Sequence, residues 1–195
     1  MGGGTPEGAV AAVASLIGRG ATAILSFGLA GGLDPALRPG AVLVPNRLWL
    51  DGAIAPTDPD LAARLGGATG HLLLAGERVA ATASEKRSLR ASTNADAIDL
   101  ESGVACRAAR AAGLPFAALR AICDPAERSL PPAALLALDG RGAVGIAPVL
   151  RSVLRQPRQL PVLRELSADA WTARAALRAH VRSLAPGQRT GARAI

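Results

Sequence analysis

Three short segments hold the residues whose types and spacing could do chemistry. The first, Ser26-Phe27-Gly28-Leu29-Ala30-Gly31-Gly32-Leu33-Asp34-Pro35, is a glycine turn in which backbone can approach a ligand with no Cβ in the way. The second, Asp99-Leu100-Glu101-Ser102-Gly103, puts a carboxylate at a helix start. The third, Arg120-Ala121-Ile122-Cys123-Asp124-Pro125, closes an apolar run with a carboxylate. Each segment follows a stretch that reads as a strand. In an open α/β sheet the strand ends converge on one crevice, where ligands bind. A close-approach turn and two carboxylates suit a ribose-containing ligand and a reaction that needs an acid.

Asp124 is the sharpest candidate. A carboxylate partly buried at the end of an apolar strand has a raised pKa, so it can hold a proton near neutral pH and act as general acid. The plainer reading is a turn aspartate before Pro125. Glu101 could accept two hydrogen bonds from the vicinal hydroxyls of a ribose, with Ser102 assisting. Equally, it could serve only as a carboxylate at a helix N-terminus. Asp99 reads as a cap or brace for that helix. Ala30-Gly31-Gly32 alone is weak evidence. Ser84, Glu85 and Lys86 open a helix and could reach a pocket, but a capping box accounts for them more simply. Lys86 is also the only lysine in an Arg-rich chain, which reads as compositional bias. His71 and His180 have no ligand-spaced partner, so no metal is expected. Neither a P-loop nor Gly-x-Gly-x-x-Gly occurs.

Alternating strand and helix patterns must position these residues. Thr5-Pro6-Glu7 starts a helix with Val10, Val13, Leu16 and Ile17 on its apolar face. Ala23–Phe27 and Ala41–Val44 read as buried strands. Val79–Thr82 reads as another, with Gly70–Leu74 a weaker candidate. Ser84–Ser92 is predicted helical, Ala97–Asp99 a short strand, and Glu101–Ala112 a helix closed by Gly113. Phe116–Cys123 is the clearest strand, and Pro131-Pro132 opens a helix through Leu138. Residues 162–184 fit an amphipathic Arg-rich helix, and the end from Pro186 reads as disordered. The fold class is therefore α/β. An α/β domain spans 1–140, a basic helical extension packed on it spans 141–185, and a tail spans 186–195. A glycine run, Gly2-Gly3-Gly4, stands directly before the first helix, a place where backbone amides can face an anion.

Half of the 195 residues are hydrophobic but only 2% are aromatic, so the core must be built from Ala, Val, Leu and Ile. The net charge of +7 is unevenly spread. Residues 1–140 are nearly neutral, with 12 basic and 13 acidic side chains, whereas 141–195 carry 10 Arg against Glu165 and Asp169. Such a basic segment is either a solvated appendage or a contact for an anionic partner. The scarcity of aromatics argues against single-stranded nucleic acid, and no nucleic-acid partner is expected. Cys106 and Cys123 form no disulfide pattern and point to a reducing compartment. With neither a signal-peptide pattern nor an apolar run of spanning length, a cytoplasmic protein is expected.

Taken together, the three segments resemble the superfamily of purine nucleoside phosphorylases and methylthioadenosine/S-adenosylhomocysteine nucleosidases. That family carries an Ala-Gly-Gly turn, an Asp-Met-Glu box and an Arg-x-x-x-Asp strand end. Here the box is Asp99-Leu100-Glu101-Ser102, with Leu in place of Met. The chain is more specifically similar to the hopanoid-associated phosphorylase branch. That likeness rests on Gly2-Gly3-Gly4-Thr5-Pro6-Glu7, Ser26–Pro35, Glu85-Lys86, Asp124-Pro125-Ala126-Glu127-Arg128 and Leu130-Pro131-Pro132-Ala133-Ala134-Leu135, and extends into Pro157–Pro161.

The resemblance implies a mixed central sheet with flanking helices. It implies adenosylhopane as substrate and adenine as product. Asp124 would protonate the purine at N7, and Glu101, Ser102 and Leu100 would hold the ribose. Ala30 and Gly31 would line the ribose and nucleophile region, and the amides of Gly3 and Gly4 would receive phosphate. No cofactor is implied, inorganic phosphate being a co-substrate. The family also has two strands ahead of the glycine run and, in the nucleosidases, a glutamate there that activates water. Neither precedes Gly2 in this sequence, which reads as an N-terminally truncated sheet. An incomplete sheet strengthens the superfamily's tendency to form homo-oligomers.

Two other readings stay open beside the phosphorylase one. The first is a hydrolytic nucleosidase for methylthioadenosine or S-adenosylhomocysteine. The second is an inactive remnant that binds a ligand without turnover. In either case the basic C-terminal segment offers a peripheral contact with acidic lipid.

Overall fold

A computed structural model describes residues 6–138, 152 and 155–184. The expected phosphate amides of Gly3 and Gly4 lie outside the described residues, as do the 186–195 tail and most of 139–154. The elements in chain order are α1 (Pro6–Gly18), β1 (Ile24–Gly32), β2 (Val42–Leu43), β3 (Arg47–Leu50), β4 (Ala53–Pro56), α2 (Pro59–Arg64) and β5 (Leu72–Ala75). There follow α3 (Ala83–Thr93), β6 (Ala97–Asp99), α4 (Ser102–Ala111), β7 (Phe116–Asp124), α5 (Pro132–Leu138), a 3₁₀ turn at Pro157–Gln159, and α6 (Leu160–Ser183).

The strands form one mixed seven-stranded sheet in the order β2-β7-β1-β6-β5-β3-β4. This is the expected mixed sheet with flanking helices. Parallel pairs join β1 to β7, β5 to β6 and β3 to β5. Antiparallel pairs join β2 to β7, β3 to β4 and β1 to β6.

The two-residue period of β7 divides its side chains between two layers. Phe116, Ala118 and Ile122 join the core cluster that holds Val13 of α1 and Ala105 and Ala109 of α4. Ala117, Leu119 and Ala121 join the opposite cluster, with Ala62 of α2 and Ala173 and Leu177 of α6. The small side chains of this strand let helices pack closely on both faces, as the Ala-rich composition requires. Among the described residues no helix is long and apolar enough to cross a membrane.

One expectation is corrected. Val79–Thr82 is not a strand: Thr82 is the N-cap of α3, and Ala81 spends its amide on Glu85 and its carbonyl on Leu130. The strand is β5, which overlaps the weaker candidate Gly70–Leu74 and runs one residue past it. Sequence reading also missed the β3–β4 hairpin, which turns at Asp51-Gly52 with φ of 54° and 78°. Both residues are left-handed there, the backbone that an Asp-Gly turn favours.

Candidate active site

The glycine segment is strand rather than loop. β1 runs on through Gly32, and its pairing with β7 shifts register between Ala30 and Gly31. Ala30 pairs with Ile122, and Gly31 then pairs with Asp124. Cys123 is the extra residue of this bulge, a feature that re-aims side chains at strand ends. Gly31 also pairs with Ile98 of β6, so β6 and β7 flank it on opposite sides. A Cβ on Gly31 would stand 3.4 Å from Ile98 Cγ2 and 3.9 Å from Asp124 Oδ2.

Convergence of all three strand ends holds only in part. β1 and β7 are parallel and finish together, but β6 is antiparallel to β1. By that register Asp99 falls beside Ala30, near the end of β1, where it sits in a buried polar network. Arg120, on the α4-facing side of β7, is 0% exposed. Its Nε donates to Asp99 Oδ2 at 2.5 Å, and its Nη2 donates to Ser26 and Ser102. Ser102 donates in turn to Asp99 Oδ2 at 2.6 Å, and the Ser102 amide donates to Asp99 Oδ1 at 3.3 Å. Asp99 thus braces and caps α4, as read from sequence. Ser102 itself is 0% exposed, its hydroxyl spent on protein partners.

That leaves Glu101 without a capping duty. It occupies the N-cap position of α4 but makes no side-chain cap bond. Its carboxylate is half-buried and has no hydrogen-bond partner among the described residues. A carboxylate set at a helix N-terminus and left unpaired is available to accept bonds from hydroxyl groups.

Asp124 is 8% exposed. Its Oδ2 accepts from Lys86 Nζ at 2.6 Å, whereas Oδ1 is buried with no partner among the described residues. Burial raises the pKa of the carboxyl, with Lys86 pulling the other way. A proton on this group belongs on Oδ1, because Oδ2 is already receiving one from Lys86.

Sequence reasoning undervalued Lys86. Only 1% exposed, it also donates to the carbonyls of Pro125 and Arg128, at 2.8 and 3.0 Å. All three ammonium hydrogens are thereby used, one on Asp124 and two on the chain just after it. The start of α3 is capped as well: Thr82 Oγ1 accepts from the Glu85 amide, and Glu85 Oε2 accepts from the Ala81 amide. The signal for Lys86 was a single lysine in a chain that otherwise uses Arg. Beside Asp124, the Cys123 thiol is pushed up to about 11, mainly by burial, and is inert as a nucleophile.

An open cleft of about 470 Å³ lies between α3, α4 and the β3–β4 turn. Of the expected site residues among those described, only Leu100 lines it, together with Val79, Ile98 and Gly103. The titratable groups suited to catalysis stand outside it, so the chemistry and not this cleft locates the site.

The sequence profile of the phosphorylase superfamily matches residues 1–134, more than half of the chain. The chain belongs to that superfamily. No protein of curated function matches it. Among solved structures, futalosine hydrolase of Helicobacter pylori strain 26695 is similar with a TM-score of 0.62 at 18% identity. That match covers 92% of this chain and 76% of the other. S-adenosylhomocysteine nucleosidase from Streptococcus pyogenes, in complex with 5-methylthiotubericidin, gives 0.58 at 20% identity, covering 77% and 75%. The methylthioadenosine/S-adenosylhomocysteine nucleosidase of Colwellia psychrerythraea 34H, solved with adenine, gives 0.57 at 20% identity and 63% of each chain. This chain thus spans under two thirds of that nucleosidase. At such identities the likeness establishes the fold alone.

Proposed function

We propose that this chain cleaves the N-glycosidic bond of a purine nucleoside. The observation that carries the reading is the division of labour within Asp124: Lys86 holds one oxygen, and the other is buried, unpaired and protonatable. A neutral carboxylic acid in that position can deliver its proton to N7 of a purine. As the C1′–N9 bond breaks, its electron pair passes to the base, which leaves as neutral adenine. The sugar becomes oxocarbenium-like, and Glu101 stabilises it by accepting bonds from the ribose hydroxyls. Gly31 lets the ligand approach β1 closely. Leu100 supplies an apolar contact, while Ser102 acts through Asp99 and the start of α4.

The sequence resemblance supports adenosylhopane as the nucleoside and inorganic phosphate as the nucleophile. Phosphate oxygen would bond to C1′, leaving a ribosyl phosphate on the hopanoid. A hydrolytic reading has its own support, because two of the similar structures are nucleosidases of methylthioadenosine or S-adenosylhomocysteine. Adenine release from adenosylhopane, methylthioadenosine and S-adenosylhomocysteine, each with and without phosphate, separates the two. Phosphate-dependent release from adenosylhopane is the expected result. Phosphate-independent release from the small thioethers would establish the hydrolase instead.

A further inference from the structure

Within the segment that carries the chain's excess positive charge, Leu160–Ser183 folds into a helix with two unlike faces. Toward the sheet, α6 buries Ala173 and Leu177 and partly buries Val181. Its two acids are turned to Arg128: Asp169 pairs with Nη1, and Glu165 stands 3.6 Å from Nη2. Arg128 pairs directly with Asp169, and both acids lie off the arginine stripe.

That far side is a stripe. Arg164, Ala168, Trp171, Ala175, Arg178 and Arg182 recur at alternating steps of four and three residues, and all six are exposed. Arg174, also exposed, lies one turn from both Trp171 and Arg178. The stripe runs about 27 Å at a rise of 1.5 Å per residue. Trp171 is 70% exposed at its centre, although it is one of only two tryptophans in the chain. Small alanines separate the arginines and leave the indole proud of the surface.

We infer that the outer face of α6 docks on an anionic phospholipid bilayer. Arginines pair with headgroup phosphates, and the Trp171 indole enters the interfacial layer, where its apolar ring and polar N–H are both accommodated. The helix lies flat because its other face is fixed to β7. A second copy of the chain is a poorer fit. A two-fold contact brings the same patch against itself, here arginine against arginine with no acid between. The inference stands independently of the proposed reaction.

The test uses the full chain and vesicles of phosphatidylcholine with or without phosphatidylglycerol. In a Trp49→Phe background Trp171 is the sole tryptophan, and its emission must shift to the blue on the anionic vesicles only. Replacing Arg174, Arg178 and Arg182 together by Gln is expected to lower the partition coefficient on the order of a hundredfold, at about one factor of five per arginine. Trp171→Ala is expected to lower it several-fold at any salt. All four positions are exposed, so the thermal midpoint should hold, and it is read alongside. Three results would each overturn the inference. One is binding to neutral vesicles that equals binding to anionic ones. Another is arginine-dependent binding to duplex DNA with none to vesicles. The last is self-association abolished by Trp171→Ala with no vesicle binding.

Discussion

Lys86 Nζ lies 2.6 Å from Asp124 Oδ2, joining the first turn of α3 to the last residue of β7 across 38 residues of chain. Lys86 also bonds the carbonyl of Arg128, whose side chain holds Asp169 of α6. The strand end, the loop after it and two helices are therefore tied through one ammonium group. Lys86 is a positioning residue for Asp124, and it opposes the upward pull of burial on the carboxyl.

Lys86→Met removes that opposition, so the pKa of Asp124 rises further. A reaction that needs protonated Asp124 slows as pH climbs through this pKa. The falling limb of the rate profile should therefore move to higher pH in Lys86→Met, while kcat drops because the loop loses its anchor. A drop in kcat with an unmoved limb would assign Lys86 a purely structural role.

Asp124 also makes stability depend on pH. Its folded pKa is raised above the usual value of 3.8. The associated stabilisation is complete below that value and is lost as pH rises through the raised one. Asp124→Asn has no such titration. The difference in thermal midpoint, wild type minus Asp124→Asn, should fall as pH rises from the acid side. A difference that stays constant with pH would contradict the burial argument.

Two glycines of β1 separate packing from function. A Cβ on Gly28 would lie 2.9 Å from Arg120 Nη1, inside a buried network with no slack, so Gly28→Ala should cost ~1–3 kcal/mol of stability. A Cβ on Gly31 meets nothing closer than 3.4 Å. Gly31→Ala should keep its thermal midpoint and weaken nucleoside binding, read as a raised KM. Equal behaviour of the two variants would remove the reason for placing the ligand against Gly31.

Arg120 and Asp99 form a fully enclosed ion pair, with side chains 1% and 5% exposed. Arg120→Met leaves the carboxylate of Asp99 buried with only the Ser102 hydroxyl and amide as partners, and no cation. Denaturant unfolding should show a loss of ~3–5 kcal/mol. A loss below about 1 kcal/mol would mean water reaches Asp99, contrary to its burial.

Much of this was readable from residue order. Caps and apolar periodicity located α1, α3, α4 and α6, and continuous apolar runs located β1 and β7. Val79–Thr82 was misread because β-branched residues there resemble a strand, whereas the backbone bonds are spent on capping α3. The β3–β4 hairpin left a trace in Asp51-Gly52, but its strands are only four residues long. For the site, Asp124 and Glu101 were visible as carboxylates at element ends. The pairing of Lys86 with Asp124 was not, because the two stand far apart along the chain and a helix cap already explained Lys86 and its neighbours. Nor could residue order show that β6 runs antiparallel to β1, or that Arg120 joins Asp99 in one buried network.

The most direct test of the central claim is adenine release from adenosylhopane by the full chain and by Asp124→Asn, followed in single turnover with phosphate present. Loss of the proton donor should slow release on the order of 10²–10⁴-fold while substrate still binds. Equal rates in the two proteins would contradict the assignment of Asp124 as the acid that expels the base.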